Sequence, residues 1–211
     1  MSFNTYGKIT KTYGGNTPVW LGDGEILPGG GSLVAQYVIE DALYPAGTPV
    51  YLSGMGGDLT PLEVFEIQAD VSIVDTSLYI SAGNFGTVPL AESVYGVLPS
   101  SGTTIALSSD VSTVSSVDAS GNYKLTFTAG AFGAASAGDY LVFSSEAGAS
   151  KPMLAPVNGL LYNDIYFEED ITDATATGAV RVSGQILEDR IPTIPASIKA
   201  LLPKITFIKE E

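Results

Sequence analysis

The densest group of side chains able to do acid-base or metal chemistry is Glu168-Glu169-Asp170, with Asp164 before it and Asp173 after it. Two carboxylates that face a sugar across a cleft serve as general acid and base in glycoside hydrolysis. In an extended segment neighbouring side chains point to opposite faces, so only Glu168 and Asp170 could converge. A solvated turn is the simpler reading. Calcium needs only hard oxygen ligands, but the chain has no D-x-[DN]-x-[DN]-G loop with a distal Glu, and no metal site is assigned.

Other chemistries are limited by what is missing. The chain has no His and no Cys, which excludes disulfides, a Ser-His-Asp triad, a Cys nucleophile and a thiolate or imidazole zinc site. A nucleophilic Ser without His needs a Lys as base, and Lys8, Lys11, Lys124 and Lys151 have no Ser-x-x-Lys arrangement upstream. Two glycine clusters, Gly22-Asp-Gly24 with Gly29-Gly30-Gly31 and Gly54-Met-Gly-Gly57, invite a phosphate reading. Neither leads into a helix carrying Lys-Ser/Thr, and Asp23 and Asp58 would repel a phosphate, so both read as loops. The expectation is a protein that is not an enzyme and uses no cofactor.

The 211 residues carry 23 Asp+Glu and nine Lys+Arg, a net charge of −14. Between Lys11 and Lys124 there is no Lys or Arg, while acidic residues are scattered through that stretch. Scattered acids mark turn caps and solvated strand faces, and a field of this sign repels nucleic acid. With 45% hydrophobic and 15% charged residues the chain is globular, and at this length folding buries roughly 70% of the unfolded surface. The amino end lacks the layout of a signal peptide, and no run reaches the ~18 apolar residues that span a bilayer. No membrane partner is expected, and synthesis in the cytoplasm of the producing cell is.

Aromatic residues can stack on sugars, but Trp20 stands alone and the Tyr residues alternate with apolar neighbours, as in Tyr44…Tyr51 and Tyr162…Tyr166, which reads as packing. The amino end differs, with Phe3, Tyr6, Tyr13, Lys8 and Lys11 in Gly/Thr-rich chain. Rings and cations together on an acidic protein read as a docking arm over about residues 1–16, with an ordinary first strand as the alternative.

The elements that must position these residues are strands. Short apolar runs alternate with period two between Gly and Pro punctuation: Pro18–Leu21, Leu33–Ile39, Val50–Ser53, Leu62–Gln68, Thr104–Leu107, Asp139–Phe143, Ala179–Ile186 and Ile205–Ile208. Tyr123, Leu125 and Phe127 share one face, Asp118 to Asn122 supplies a turn, and Val111 to Val117 makes the hairpin partner. One helix is expected, opened by Pro195, with Ile198, Leu201 and Leu202 on one face and Pro203 at its end. Residues of about 76–150 are rich in Ser, Thr, Ala and Gly, whereas the flanks hold most of the Pro and the bulkier aliphatics. A composition that shifts and then reverses suggests an insertion. The expected architecture is therefore all-β. A small barrel or sandwich is built from 1–75 and 151–211 with one short C-terminal helix, and a second β-sandwich or barrel is inserted at 76–150. A faint echo links Pro45-Ala-Gly-Thr-Pro-Val-Tyr-Leu52 with Ala137-Gly-Asp-Tyr-Leu-Val-Phe143; one echo does not make a repeat.

Two stretches carry a resemblance: Leu43-Tyr-Pro-Ala-Gly-Thr-Pro-Val-Tyr-Leu52, and the tail from Gly178-Ala-Val-Arg-Val-Ser-Gly184 through the Pro-rich link and helix to Ile205-Thr-Phe-Ile208. They resemble the head fibre and capsid decoration proteins of tailed bacteriophages, those of phages infecting gut Bacteroidota above all. The resemblance covers about 45–60 residues of packing motif, and about 71–150 matches nothing in it. It implies a virion structural protein that binds the outside of the capsid, usually as a trimer, with no cofactor and no catalysis. It also implies that an amino-terminal arm reaches the major capsid protein. Composition places that contact on Phe3, Tyr6, Lys8 and Lys11. The alternative function is a carbohydrate-binding or adhesin module, with the middle segment taking host or mucosal glycans.

Overall fold

The computed structural model describes residues 19–33, 43–83, 89, 91–102, 104–115, 117–129, 132–150, 152–153, 156–166 and 177–210. In chain order these form strands β1 (Trp20–Leu21), β2 (Gly31–Leu33), β3 (Leu43–Tyr44), β4 (Pro49–Leu52), β5 (Asp58–Pro61), β6 (Val64–Glu66), β7 (Ser77–Ile80), β8 (Val94–Leu98), β9 (Leu107–Asp110) and β10 (Thr113–Val114). There follow β11 (Tyr123–Thr126), β12 (Tyr140–Phe143), β13 (Gly148–Ala149), β14 (Gly159–Leu161), β15 (Ile165–Tyr166), β16 (Thr177–Gly178), β17 (Val180–Arg181), β18 (Gly184–Leu187), helix α1 (Ala196–Lys199) and β19 (Ile205–Ile208). The fold is all-β, with one short α-helix and a 3-10 turn (Glu188–Arg190) among the described residues.

The first barrel is the sheet β16-β2-β5-β4-β14-β17. Its two edge strands are separated only by Ala179, so one continuous segment supplies both edges. The preceding chain seals the join: Leu27 N–H donates to the Val180 carbonyl (2.8 Å), Val182 N–H to the Glu25 carbonyl (3.0 Å), and Ile26 bridges Arg181. Bringing the edges together nearly removes unpaired backbone from this sheet. Its core is Leu33, Val50, Leu52, Leu59, Leu161 and Val180, joined by Tyr44 and Ile165 from the two-stranded ribbon β3-β15.

The second barrel closes by the same device. The sheet β13-β9-β8-β12-β6 and the sheet β10-β11-β7 meet where Gln68 N–H donates to the Tyr79 carbonyl and Ser81 N–H to the Glu66 carbonyl (2.9 Å each). On the other side β9 and β10 are one bent run, pairing Val94↔Asp110 with β8 and then Thr113↔Thr126 with β11. Val111 lies at the bend, fully buried. The core holds Phe65, Ile67, Val71, Leu78, Ile80, Tyr95, Val97, Val111, Leu125, Phe127, Phe132, Ala135 and Leu141.

A third core lies outside both barrel interiors. Val64, Leu98 and Val142 are next in sequence to the inward-facing Phe65, Val97 and Leu141, so they point outward, and they are buried too. They pack with Ile186 and Ile205 of the small sheet β1-β18-β19 and with Ile194, Ile198 and Leu202 around α1. Burial on both faces explains why β6, β8 and β12 read as continuous apolar pairs.

Some elements form as expected, and others depart from expectation in instructive ways. The 111–128 hairpin forms with Thr113↔Thr126 and Val114↔Leu125, burying Leu125 and Phe127 and exposing Lys124 and Thr128. Its turn is held by Asp118, whose Oδ1 accepts from Ser120 N–H (2.7 Å) and Asn122 N–H (2.9 Å). The 179–186 run is two strands, because Gly184, at φ +128°, redirects the chain from the first barrel to the small sheet. The strand read at Thr104–Leu107 begins at Leu107; Ile105 instead turns its side chain into the third core. Pro195 is extended (φ −55°, ψ 147°) and precedes the helix, its carbonyl accepting from Ile198 and Lys199 N–H at 3.0 Å each. After Lys199 the turn tightens to i→i+3 bonds at Leu201 and Leu202, which places Leu202 in the third core.

Candidate functional site

The most developed polar arrangement among the described residues centres on Arg181, 3% exposed. Strand β17 turns this side chain out of the barrel, since its neighbour Val180 points in. Among the described residues no carboxylate takes the charge. Nε donates to the Ser183 carbonyl (3.0 Å) and Nη2 to the Gly22 carbonyl (2.9 Å). The guanidinium lies 4.6 Å from the centre of the Trp20 ring and 6.0 Å from that of Tyr162. Charge-assisted bonds to two carbonyls and the ring quadrupoles together offset the loss of water.

Glycine makes room for it. A Cβ at Gly24 would sit 2.2 Å from Arg181 Nε, and one at Gly184 would sit 2.8 Å from Nη2. This gives the Gly178-Ala-Val-Arg-Val-Ser-Gly184 motif a physical meaning. Gly178 yields to Ile165 and Leu59 in the barrel core, Val180 fills that core, and Gly184 opens space for the arginine. Trp20 Nε1 donates to the Tyr162 carbonyl (3.0 Å), and the two rings lie 6.4 Å apart at 28°. Glu25 N–H donates to Ser183 Oγ (2.9 Å). The knot thus ties β1 and the 22–25 loop of the small sheet to the first barrel. Trp20 was expected to stand alone; what the sequence concealed is that residues 20, 162 and 181 converge. Only the pairing of β1 with β18 and of β14 with β17 brings them together.

The two glycine clusters, read as loops, meet where Gly29-Gly30-Gly31 runs beside the Gly54-Met-Gly-Gly57 turn. Gly56 N–H donates to the Gly30 carbonyl (2.9 Å), and Ser32 N–H donates to the Gly57 carbonyl (3.0 Å). Close approach is required at Gly30 and Gly31, where a Cβ would meet the Gly178 carbonyl at 2.5 Å and Leu52 Cδ1 at 2.4 Å, whereas Gly56 has open space around it and a positive φ of +67°.

An open pocket of about 170 Å³ lies where β6 and β12 meet the chain leading into α1, lined by Val64, Glu66, Ser81, Ala82, Tyr140, Thr193 and Pro195. Burial, with Glu66 and Asp139 nearby, holds the Tyr140 hydroxyl above its usual value. Asp164, read with the acidic cluster, instead caps a turn, its Oδ1 accepting from Ala46 N–H at 2.7 Å. Glu168, Glu169, Asp170 and Asp173 lie outside the described residues, as do Phe3, Tyr6, Lys8 and Lys11. Among the described residues no group of three or more His, Cys, Asp or Glu is placed to hold a metal, and no helix is long and apolar enough to cross a membrane.

Charge is segregated. Residues 181–211 hold five of the nine cations, Arg181, Arg190, Lys199, Lys204 and Lys209, against four of the 23 carboxylates. Lys199 pairs with Glu188 (2.5 Å) and Arg190 with Glu210. Lys204 and Lys209, which flank β19, are exposed.

A scan against protein-family models finds no matching family, and searches of the curated proteins and of the solved structures find no significant match.

Proposed function

We propose that the protein is a virion structural subunit, a head fibre or decoration protein that binds the outside of a tailed-phage capsid as an oligomer, in the first instance a homotrimer. One observation carries the reading. The two stretches that bear the resemblance lie more than a hundred residues apart in sequence and pack directly together. Gly47 of the first stretch is so close to the second that a Cβ there would meet Ile191 Cγ2 at 2.4 Å and Ile186 Cδ1 at 3.2 Å. Val50 and Val180 share the first barrel's core. The resemblance thus falls on one contiguous packing unit, which supports reading it as a shared module.

On this reading the role is mechanical, and no catalytic step is assigned. The amino-terminal arm, through Phe3, Tyr6, Lys8 and Lys11, supplies the contact with the major capsid protein. The acidic remainder keeps copies soluble at high local density. The test is mass spectrometry of purified particles followed by imaging of the capsid. Density for this chain on the capsid exterior is the expected result, and Lys8→Glu with Lys11→Glu is expected to release it. Absence from the particle overturns the proposal, whereas a monomer by light scattering overturns only the trimer.

A further inference from the structure

Both barrels bring their sheet edges together; the small sheet β1-β18-β19 does not. Among the described residues β19 is the one strand of four or more residues whose outer side meets no other strand. The parallel ladder with β18 decides which of its backbone groups face out. Gly184 N–H donates to the Lys204 carbonyl (3.1 Å), and Gly184 lies opposite Ile205, so residues 204, 206 and 208 turn their backbone groups toward β18. Glu210 keeps the alternation, its N–H donating to Asp189 Oδ2 on that same side (2.8 Å). The odd-numbered residues face the other way. Ile205 N–H is taken by the Leu202 carbonyl (3.0 Å), which leaves the Ile205 carbonyl, both groups of Phe207 and the Lys209 N–H with no partner among the described residues. Such a row is a template for a further strand.

The row is complementary to itself. Laid antiparallel against a second copy about Phe207, it sets Phe207 opposite Phe207. In an antiparallel pair the residues that exchange bonds recur at every second position. The two Phe207 backbones then exchange two bonds, and each Lys209 N–H reaches the Ile205 carbonyl of the other copy. All four outward groups of each copy are used, and the Ile205 N–H, already bonded, needs nothing. The same register places Lys204 opposite Glu210 at both ends. Both are exposed, and Lys204 enters no ion pair among the described residues, so the ends attract. Sliding the register either way breaks that pairing. Lysine also blunts sheet edges against strangers; this partner alone answers it with a carboxylate in register.

We propose that two copies of the chain dock through β19, antiparallel across a two-fold axis, so that their small sheets become one six-stranded sheet. The proposal stands independently of the capsid reading. An isologous contact closes at two and doubles whatever assembly other surfaces build.

The test compares the full chain with Lys209→Pro by sedimentation equilibrium from micromolar to near-millimolar concentration. Proline deletes the outward N–H and spares the ladder with β18, to which residue 209 gives no bond. Circular dichroism checks that the variant folds. A native mass that rises to twice that of Lys209→Pro is the expected result, and equal masses at every concentration overturn the proposal. The register is read by cross-linking, for which a chain without Cys gives a clean background. In the proposed pairing Thr206 faces Ile208 of the other copy with Cα atoms about 4.5 Å apart, within disulfide reach. Under mild oxidation a mixture of Thr206→Cys and Ile208→Cys chains should therefore form linked heterodimers faster than either chain alone forms homodimers. Linkage no faster in the mixture overturns the proposal. Should Lys209→Pro fail to fold, the cross-linking decides.

Discussion

The two barrels solve one problem with one device and fill their interiors differently. Each is closed by a single bent segment that pairs with two different strands, 177–181 in the first and 107–114 in the second. Each also starts a strand from the same turn. Thr48 N–H donates to the Pro45 carbonyl (3.1 Å) and Asp139 N–H to the Ser136 carbonyl (3.0 Å). The third residue of each turn is a glycine at φ +87°, Gly47 and Gly138, as a type II turn requires. Each glycine N–H then donates to a neighbouring strand, at Leu161 and at Ile67. This is the structural content of the sequence echo. The interiors diverge: the first is aliphatic with one ring, Tyr44, while the second packs Phe65, Tyr95, Phe127 and Phe132. Phe127 and Phe132 meet edge-on at 4.7 Å, and Tyr95 stacks on the half-buried Phe143 at 4.8 Å. Shared backbone logic therefore does not dictate core composition, provided the volume is filled.

That contrast can be broken most forcefully in the cores. Phe132→Ala should cost about 3–5 kcal/mol and Leu59→Ala about 2–5 kcal/mol. Hydrogen exchange measured by mass spectrometry is expected to show the first loosening β7, β8, β11 and β12 and the second loosening β2, β4 and β5. Equal loosening everywhere by either substitution would mean that the third core makes one cooperative unit of the two barrels.

Next in size is Arg181→Met, which leaves the Gly22 and Ser183 carbonyls without their charged donor. Hydrogen bonds to charged groups are worth roughly 1.5–3 kcal/mol each, so thermal unfolding should fall by several degrees. The emission of Trp20 should shift as its packing opens. Arg181→Lys should recover little, since an ammonium cannot reproduce the forked geometry.

A finer comparison uses the twin turns. Gly138→Ala meets nothing within 4 Å and should cost only the strain of positive φ, roughly 1–2 kcal/mol. Gly47→Ala bears the same strain and also drives a methyl into Ile191, so its midpoint in denaturant should fall further. Equal effects would show that Ile191 gives way.

The smallest effect concerns pH. Burial of Tyr140, then the carboxylates of Glu66 and Asp139, raise its value in the fold above 10.0. The neutral phenol is the favoured form, so its contribution to stability is complete below pH 10 and is lost as pH rises through the folded-state value. Ultraviolet titration should find one fewer late-forming phenolate in Tyr140→Phe than in the native chain.

Much of this was legible beforehand. Alternation at Tyr123–Phe127 placed Leu125 and Phe127 inside because a strand has only two faces, and Ile205–Ile208 is a strand where its apolar run says so. β7 and β8 escaped notice. Ser77–Ile80 is too short to alternate visibly, and Val94–Leu98 is buried on both faces with Gly96 in the middle, where a Cβ would meet Ile105. The knot escaped because nothing local marks it: Trp20, Tyr162 and Arg181 are up to 161 positions apart.

By itself, then, the sequence determined the class of the fold and its chemical limits, because strand periodicity, turn residues and the absence of His and Cys are properties of short segments and of composition. Barrel closure, the meeting of the glycine clusters and the burial of a guanidinium against carbonyls and rings were decided by tertiary structure alone. Each depends on which strand lies beside which, and that pairing is set by contacts between residues far apart in the chain.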